Sequence, residues 1–288
     1  SIYRIIKKSF YKICLVKHMI AYQAKKSPVY CDNHLNIMYS TQIIISRLWW
    51  GSFRRIFEYC MRKILGTRSV VISGPLKGYK VEGGLAQVLG IYEYDVQACI
   101  SESLKKGNIF YDVGSNNGFF SILGSKIVGP KGKVYSFEPF NDNIFSLKKV
   151  LRYNAINNCT IFEAAISDEV GKNELFFSKD NVTPSLTNID ASFSTVISVS
   201  TIDTIIKKVG VPQLIKLDVE GAESRVLKGS AELLNSNNKV IWVIEIHDLS
   251  NEKQCIKILM HSGYSIKKIR PIYKESSRYP FHILANNL

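Results

Sequence analysis

From about residue 70 onward, short apolar runs that suit strands alternate with longer stretches of helical pattern. Few folds accommodate that alternation. Five runs read as strands: Ile109–Val113, Lys133–Phe137, Thr160–Ala165, Gln213–Asp218 and Val240–Ile246. Helical stretches at 118–127, 141–154, 222–234 and 251–261 separate most of them, and residues 91–105 read as a helix ended by Gly107. A further short strand pair is expected within 173–200, and Tyr264–Ile269 with Phe281–Ala285 as a closing hairpin. Such units build an α/β domain whose mostly parallel sheet is covered by helices on both faces. Ligands bind such sheets at the carboxyl ends of the strands, near the point where strand order reverses.

The region before residue 70 has a different character. Residues 1–70 hold 13 Lys and Arg against only Asp32 and Glu58, whereas the remaining 218 residues hold 25 against 22. The formal charge of +14 therefore describes an N-terminal region, which suits an anionic partner. On a helical wheel, Ile2, Ile5, Ile6, Phe10, Ile13, Val16 and Ile20 share a face. Arg4, Lys7, Lys8 and Lys12 lie mostly opposite, and Lys17 interrupts the apolar face. A basic amphipathic helix over residues 1–26 can lie in an anionic membrane interface, or pack its apolar stripe on the domain that follows. Residues 41–65, with Trp49, Trp50, Phe53 and Phe57, read as a second basic helical segment. The expected division is thus 1–70, basic and helical, and 71–288, the α/β domain. No run is long and apolar enough for a transmembrane helix, and no secretory signal pattern is expected, which suggests a cytoplasmic protein, peripheral at an inner membrane face if the helix binds there. Cys14, Cys31, Cys60, Cys99, Cys159 and Cys255 form no CxxC pair, so the spacing carries neither a zinc signature nor a disulfide framework.

Five motifs stand at strand ends. The first, Asp112-Val113-Gly114-Ser115-Asn116-Asn117-Gly118, follows one strand and opens a helix. Gly114 and Gly118 permit a tight turn and close approach of a ligand. The Gly-x-x-x-Gly spacing is not a dinucleotide fingerprint, and Asp112 would repel a pyrophosphate but attract an ammonium group. The second, Phe137-Glu138-Pro139, offers a carboxylate that suits two vicinal ribose hydroxyls. The third, Ala164-Ala165-Ile166-Ser167-Asp168, has small residues that admit an adenine ring, with Asp168 near its exocyclic amine, although turn chemistry alone also explains Ser167-Asp168. The fourth, Lys216-Leu217-Asp218-Val219-Glu220-Gly221-Ala222-Glu223, crowds three carboxylates at a strand-to-helix junction, which is costly unless they bind something or cap the helix. In the fifth, Trp242–His247, strand alternation puts Glu245 and His247 on one face beside Asp218, a candidate acid–base cluster. Histidine is suited to taking a proton near neutral pH.

In this order and spacing the motifs resemble the FkbM family of S-adenosylmethionine-dependent methyltransferases. The resemblance runs from about Gly90 to Leu284 and rests on Leu89-Gly90-Ile91-Tyr92-Glu93, FYDVGSNNGFFS, GKVYSFEP, AAISD, Ser200-Thr201-Ile202-Asp203, IKLDVEGAE and VIEIH. One departure is Ser115-Asn116, where Ala-Asn is more usual. The resemblance implies a Rossmann-like class I methyltransferase with a seven-stranded sheet. It implies that Asp112, Gly114, Asn116, Asn117 and Gly118 surround the methionine moiety of the donor and that Glu138 holds its ribose. Ala165, Ile166 and Asp168 would lie by the adenine, Asp218 beside the sulfonium, and Glu93 in the same pocket. Members of the family methylate hydroxyls of sugars, glycolipids or secondary metabolites, so a sugar or glycolipid acceptor is expected. His247 or Asp218 would take the hydroxyl proton, with Glu220 and Glu245 orienting the acceptor. A divalent ion is an open alternative to a base, and no metal ligand set is assigned.

Two rival functions follow from other features. The basic N-terminal region would suit an RNA methyltransferase. However, the acids of Asp218-Val219-Glu220-Gly221 would repel phosphate and no Pro-Cys pair is present, so a nucleic-acid substrate is not expected. An adaptor that binds the donor without turnover is the non-enzymatic alternative, and intact Asp112, Gly114, Glu138 and Asp218 argue against it.

Overall fold

A computed structural model describes residues 69–177, 193–269 and 280–287. All of them belong to the compact unit Thr67–Leu288. The basic helices expected over 1–26 and 41–65 lie outside the described residues. Among the described residues no helix is long and apolar enough to cross a membrane, and Cys99, Cys159 and Cys255 are free thiols.

In chain order the strands are β1 (Ser69–Val70), β2 (Lys80–Val81), β3 (Ile109–Val113), β4 (Lys133–Phe137), β5 (Cys159–Phe162), β6 (Ala165–Ile166), β7 (Gly171–Phe177), β8 (Phe193–Ser200), β9 (Leu214–Leu217), β10 (Ile241–Ile246), β11 (Ser265–Ile269) and β12 (Phe281–Asn286). Seven of them form one sheet in the order β11-β12-β10-β9-β3-β4-β5. Pairing is parallel from β10 through β5, and β12 runs antiparallel to both neighbours. This is the expected mostly parallel α/β sheet.

Alternation along the strands sorts their side chains onto two faces. Tyr111, Val113, Ile215, Leu217, Trp242, Ile244 and Ile283 enter one core with Val226, Leu227, Cys255 and Leu259 of the helices Glu223–Lys228 and Leu249–His261. On the opposite face Phe110 meets Gly124 of the helix Phe119–Val128 so closely that a Cβ there would come within 2.2 Å of its ring. That second face also carries polar side chains. Ser136, Asp112 and Lys216 lie in one cross-strand row, and Glu245 faces His282 two residues further along. Burying polar groups in a central sheet is costly unless they are paired, so this face marks where the chemistry sits.

Beyond shifts of a few residues at element ends, the structure departs from the sequence reading in these elements. The run Thr160–Ala165 is two strands: β5 ends at Phe162, and β6 leaves the main sheet to pair with β8, itself antiparallel to β7. The stretch 222–234 is two helices, Glu223–Lys228 and Ala231–Leu234, divided at Gly229, where a Cβ would lie 2.0 Å from the Ser167 carbonyl oxygen. The helix Ile202–Val209 is additional. Thr201 caps it by accepting a hydrogen bond from the Thr204 amide, and Ile202 and Ile205 are buried.

Candidate active site

At the end of β3 the chain turns through Gly114 (φ +78) and Gly118 (φ +86), the latter opening the helix Phe119–Val128. A Cβ on Gly114 would fall 1.7 Å from the Asp218 carbonyl oxygen, so the bend after β3 presses against the end of β9. Glu138, at the tip of β4, is buried and turned toward this bend. One of its carboxylate oxygens accepts from the Asn116 amide at 2.8 Å and the other from the Phe140 amide at 3.0 Å. Burial pushes the Glu138 carboxyl above its ordinary range, although these hydrogen bonds oppose it.

Asp112 lies beneath the bend, fully buried. Ser121 donates to it at 2.6 Å, and a hydroxyl chain continues through Ser136 toward the Cys159 thiol. Burial raises its pKa, against the pull of its cross-strand neighbour Lys216. Asp112 thus already faces a positive charge of its own chain. Among the described residues one oxygen of Asp112 has no hydrogen-bond partner.

Other residues assigned to the donor are engaged elsewhere. Asn117 turns away from the pocket: its amide donates to the Glu82 carbonyl at 2.5 Å and its oxygen accepts from Gln87 at 3.5 Å, tying the bend to the preceding segment. Ile166 is fully buried in the main core, and Ala165 packs with Ile197, Val199 and Phe140, so neither side chain is free to line a ring. Asp168 accepts from Arg225 at 2.9 Å and from Ser167 at 3.0 Å, so its carboxylate is engaged by a cation of its own chain. A cavity of about 290 Å³ does open next to Glu138, lined by Pro139, Phe140, Asn141, Glu163, Val196 and Ser198.

Past β9 and β10 the acids and histidines separate into two clusters. In the first, buried Glu223 accepts from the Gly221 amide at 2.9 Å and meets Nδ1 of His247 at 2.9 Å. The other ring nitrogen, Nε2, lies 3.3 Å from Glu220 and 3.7 Å from Asp218. Asp218 also receives the buried ammonium of Lys216 at 3.0 Å. Burial would raise the Asp218 carboxyl, but Lys216 and His247 outweigh it and hold its pKa low. For His247, burial pushes the imidazole down, but the Glu223 hydrogen bond and the charges of Glu223, Asp218 and Glu245 lift it to about 9. The expectation of a histidine titrating near neutrality is thus corrected: the surrounding carboxylates favour its protonated form above pH 7.

The second cluster joins Glu93, Glu245 and His282. Glu93 sits at φ +39 just before the helix Tyr94–Ser103, and His282 lies directly across from Glu245. Burial, then Asp218, raises the Glu245 carboxyl to about 7. Glu245 and His247 therefore do not share one cluster. The strand ends at Ile246, so alternation no longer governs His247, which turns to Glu223 while Glu245 turns to His282.

Three residues of this site went unassigned in the sequence reading. Lys216 had a signal, a lone cation inside the apolar run Leu214–Leu217 of a central strand. Glu223 was read only as one of three carboxylates that bind something or cap the helix. His282 had no local signal, because only the β10–β12 register brings it to Glu245.

The family pattern described as the methyltransferase FkbM domain matches residues 112–279. A hexuronic acid methyltransferase of Haloferax volcanii, AglP, is 28% identical over 176 residues, covering 60% of this chain and 70% of the relative. Among solved structures, a precorrin-6y C5,15-methyltransferase of Geobacter metallireducens aligns with 14% identity and a TM-score of 0.44, over 67% of this chain and 87% of that one. The fibrillarin of Aeropyrum pernix with bound S-adenosyl-L-methionine aligns with 16% identity and a TM-score of 0.42, over 67% and 74% respectively.

Proposed function

The chain belongs to the FkbM methyltransferase family, and from that premise we propose that it transfers a methyl group from S-adenosylmethionine to a hydroxyl oxygen of a sugar in a glycan or glycolipid. Dependence on S-adenosylmethionine follows from the family. The acceptor class is the finer reading, supported by the hexuronic acid methyltransferase at 28% identity.

The residues present fit such a donor. The Gly114 bend leaves no room for a side chain, Glu138 is held at its rim, and among the described residues Asp112 and Asp218 each keep one carboxylate oxygen without a hydrogen-bond partner. In this reading Glu138 accepts hydrogen bonds from the ribose diol. Gly114 and Gly118 allow the methionine part to approach the backbone, and Asp112 and Asp218 offset its positive charge. The adenine contacts come from the backbone around Ala165 and the cavity beside Pro139 and Phe140 rather than from the Asp168 carboxylate.

The bound donor supplies a methyl already activated by a sulfonium. The protein must then align an oxygen in line with it and accept the hydroxyl proton. His247 is the group best placed for the proton, which it takes in its neutral form, the form that the positive charge of the bound donor favours. Glu223 holds Nδ1 and leaves Nε2 facing Asp218 and Glu220, whereas Asp218 is already paired with Lys216. Glu220 and Glu245 remain as acceptors for further hydroxyls of the sugar. The single observation that carries the reading is the contact between the Gly114 bend and the Asp218 backbone, which joins the donor bend to the cluster around His247.

The test is mass spectrometry of a panel of hexose, uronic acid and glycolipid acceptors, with RNA as a comparison, after incubation with the full chain and S-adenosylmethionine. A gain of one methylene on a sugar oxygen is expected. Transfer to RNA and to no sugar would overturn the acceptor assignment.

A further inference from the structure

The carboxylates around this pocket outnumber their basic partners. Asp218, Glu220 and Glu223 are met by Lys216 and His247, Asp112 feels Lys216 only through its charge, and among the described residues Glu93 and Glu245 have only His282 within ion-pair distance. Three separate elements bring this trio together: the turn before the helix Tyr94–Ser103, β10, and β12. His282 Nε2 lies 3.4 Å from Glu93 Oε2 and 3.7 Å from Glu245 Oε2. The His282 side chain is only 7% exposed, yet among the described residues its Nε2 has no hydrogen-bond partner, and neither has Glu93 Oε2. A buried imidazole nitrogen and a buried carboxylate oxygen aimed at each other without a hydrogen bond want a shared partner.

We propose that Glu93, Glu245 and His282 bind a divalent transition-metal ion, and that the open positions of that ion take oxygen atoms of the acceptor sugar. The separations favour this over direct pairing. They exceed the roughly 2.7–3.2 Å of a good hydrogen bond. They approach the ~3–3.5 Å between adjacent ligands of an ion whose bonds are about 2.0–2.2 Å long. One imidazole with two carboxylates suits Mn²⁺, Fe²⁺ or Zn²⁺ better than Ca²⁺, which prefers oxygen ligands throughout. Three protein ligands leave coordination positions free for a hydroxyl, whose proton is made more acidic there and passes to the neutral form of His247.

The alternative trio Asp218, Glu220 and His247 is less suited. Lys216 occupies one oxygen of Asp218, and Glu220 is exposed. Only the acceptor step rests on the reading of the chain as a sugar methyltransferase, and ion binding does not.

The experiment strips the full chain with a chelator and titrates it with Mn²⁺, following free Mn²⁺ by electron paramagnetic resonance and binding by calorimetry. One ion per chain is expected. His282→Gln and Glu93→Gln should each weaken binding about 10–100-fold, and His247→Ala should leave it unchanged. Thermal unfolding of each variant shows that it is folded. Glu93 is partly exposed and His282 buried, so the Glu93 variant keeps the test open if His282→Gln does not fold. The proposal is overturned if the wild-type chain binds neither Mn²⁺ nor Zn²⁺ saturably, or if His247→Ala loses the ion while Glu93→Gln keeps it. Sugar methylation at full rate in the stripped chain would likewise overturn the metal and leave the methyltransferase reading standing. Saturable Mn²⁺ with no sugar methylated would overturn the acceptor step alone.

Discussion

Replacing Gly114 with alanine perturbs the contact that joins the two halves of the site. Two costs add. Gly114 sits at φ +78, a conformation that costs an L residue about 1–2 kcal/mol. The added Cβ would also lie 1.7 Å from the Asp218 carbonyl oxygen and 2.8 Å from its carbon. Backbone cannot rotate aside as a side chain can, so β3 and β9 must separate, a strain of roughly 1–3 kcal/mol. The sum is about 2–5 kcal/mol. Gly107 supplies the control: its φ is +86, but a Cβ there would have nothing within 4 Å. Gly107→Ala should therefore lose only the conformational part, about 1–2 kcal/mol. Thermal unfolding separates the two, at roughly 2–4 °C per kcal/mol for a domain of this size. Calorimetry with S-adenosylhomocysteine should show weaker binding in Gly114→Ala alone. Equal destabilisation of the two variants, with donor affinity kept in both, would refute the close approach and its role.

Other substitutions separate donor binding from proton removal. His247→Ala should lower turnover about 10²–10⁴-fold with donor affinity unchanged, as expected on loss of a general base, and a matching loss of donor binding would contradict that role. Glu223→Gln, which alters the partner of Nδ1, should cost about 10–100-fold in turnover at constant donor affinity, read from steady-state rates beside calorimetry. Asp168→Ala removes an ion pair on the protein surface, so stability should fall by no more than about 1 kcal/mol. Donor affinity should stay within twofold, and a tenfold loss would restore Asp168 to the adenine site.

Much of this arrangement was legible locally. Ile109–Val113 and Lys133–Phe137 are strands with the boundaries expected from sequence, because each is a short run rich in β-branched and aromatic residues bounded by Gly or Pro turn signals. The acids that close them, and the glycines after Asp112, also stand where the motifs suggested. What escaped reading depends on pairing between distant segments. Nothing in Phe162-Glu163-Ala164-Ala165 marks a break, and β6 departs only because β8 offers it a partner. Alternation linked Glu245 with His247, but the strand stops between them. Asp168 looked available for a ligand until the helix carrying Arg225 folded against it. Likewise Glu93 and His282 are ordinary residues in sequence, and a cluster only once β12 lies along β10.

The most direct measurement is the affinity of the Glu138→Ala chain for S-adenosylhomocysteine by isothermal titration calorimetry, beside a thermal unfolding curve that shows the variant folded. Loss of hydrogen bonds to a buried carboxylate predicts about 1–3 kcal/mol, or roughly 5–150-fold weaker binding. A folded Glu138→Ala chain that binds within twofold of the wild type would contradict the claim that the tip of β4 grips the donor beside the glycine bend.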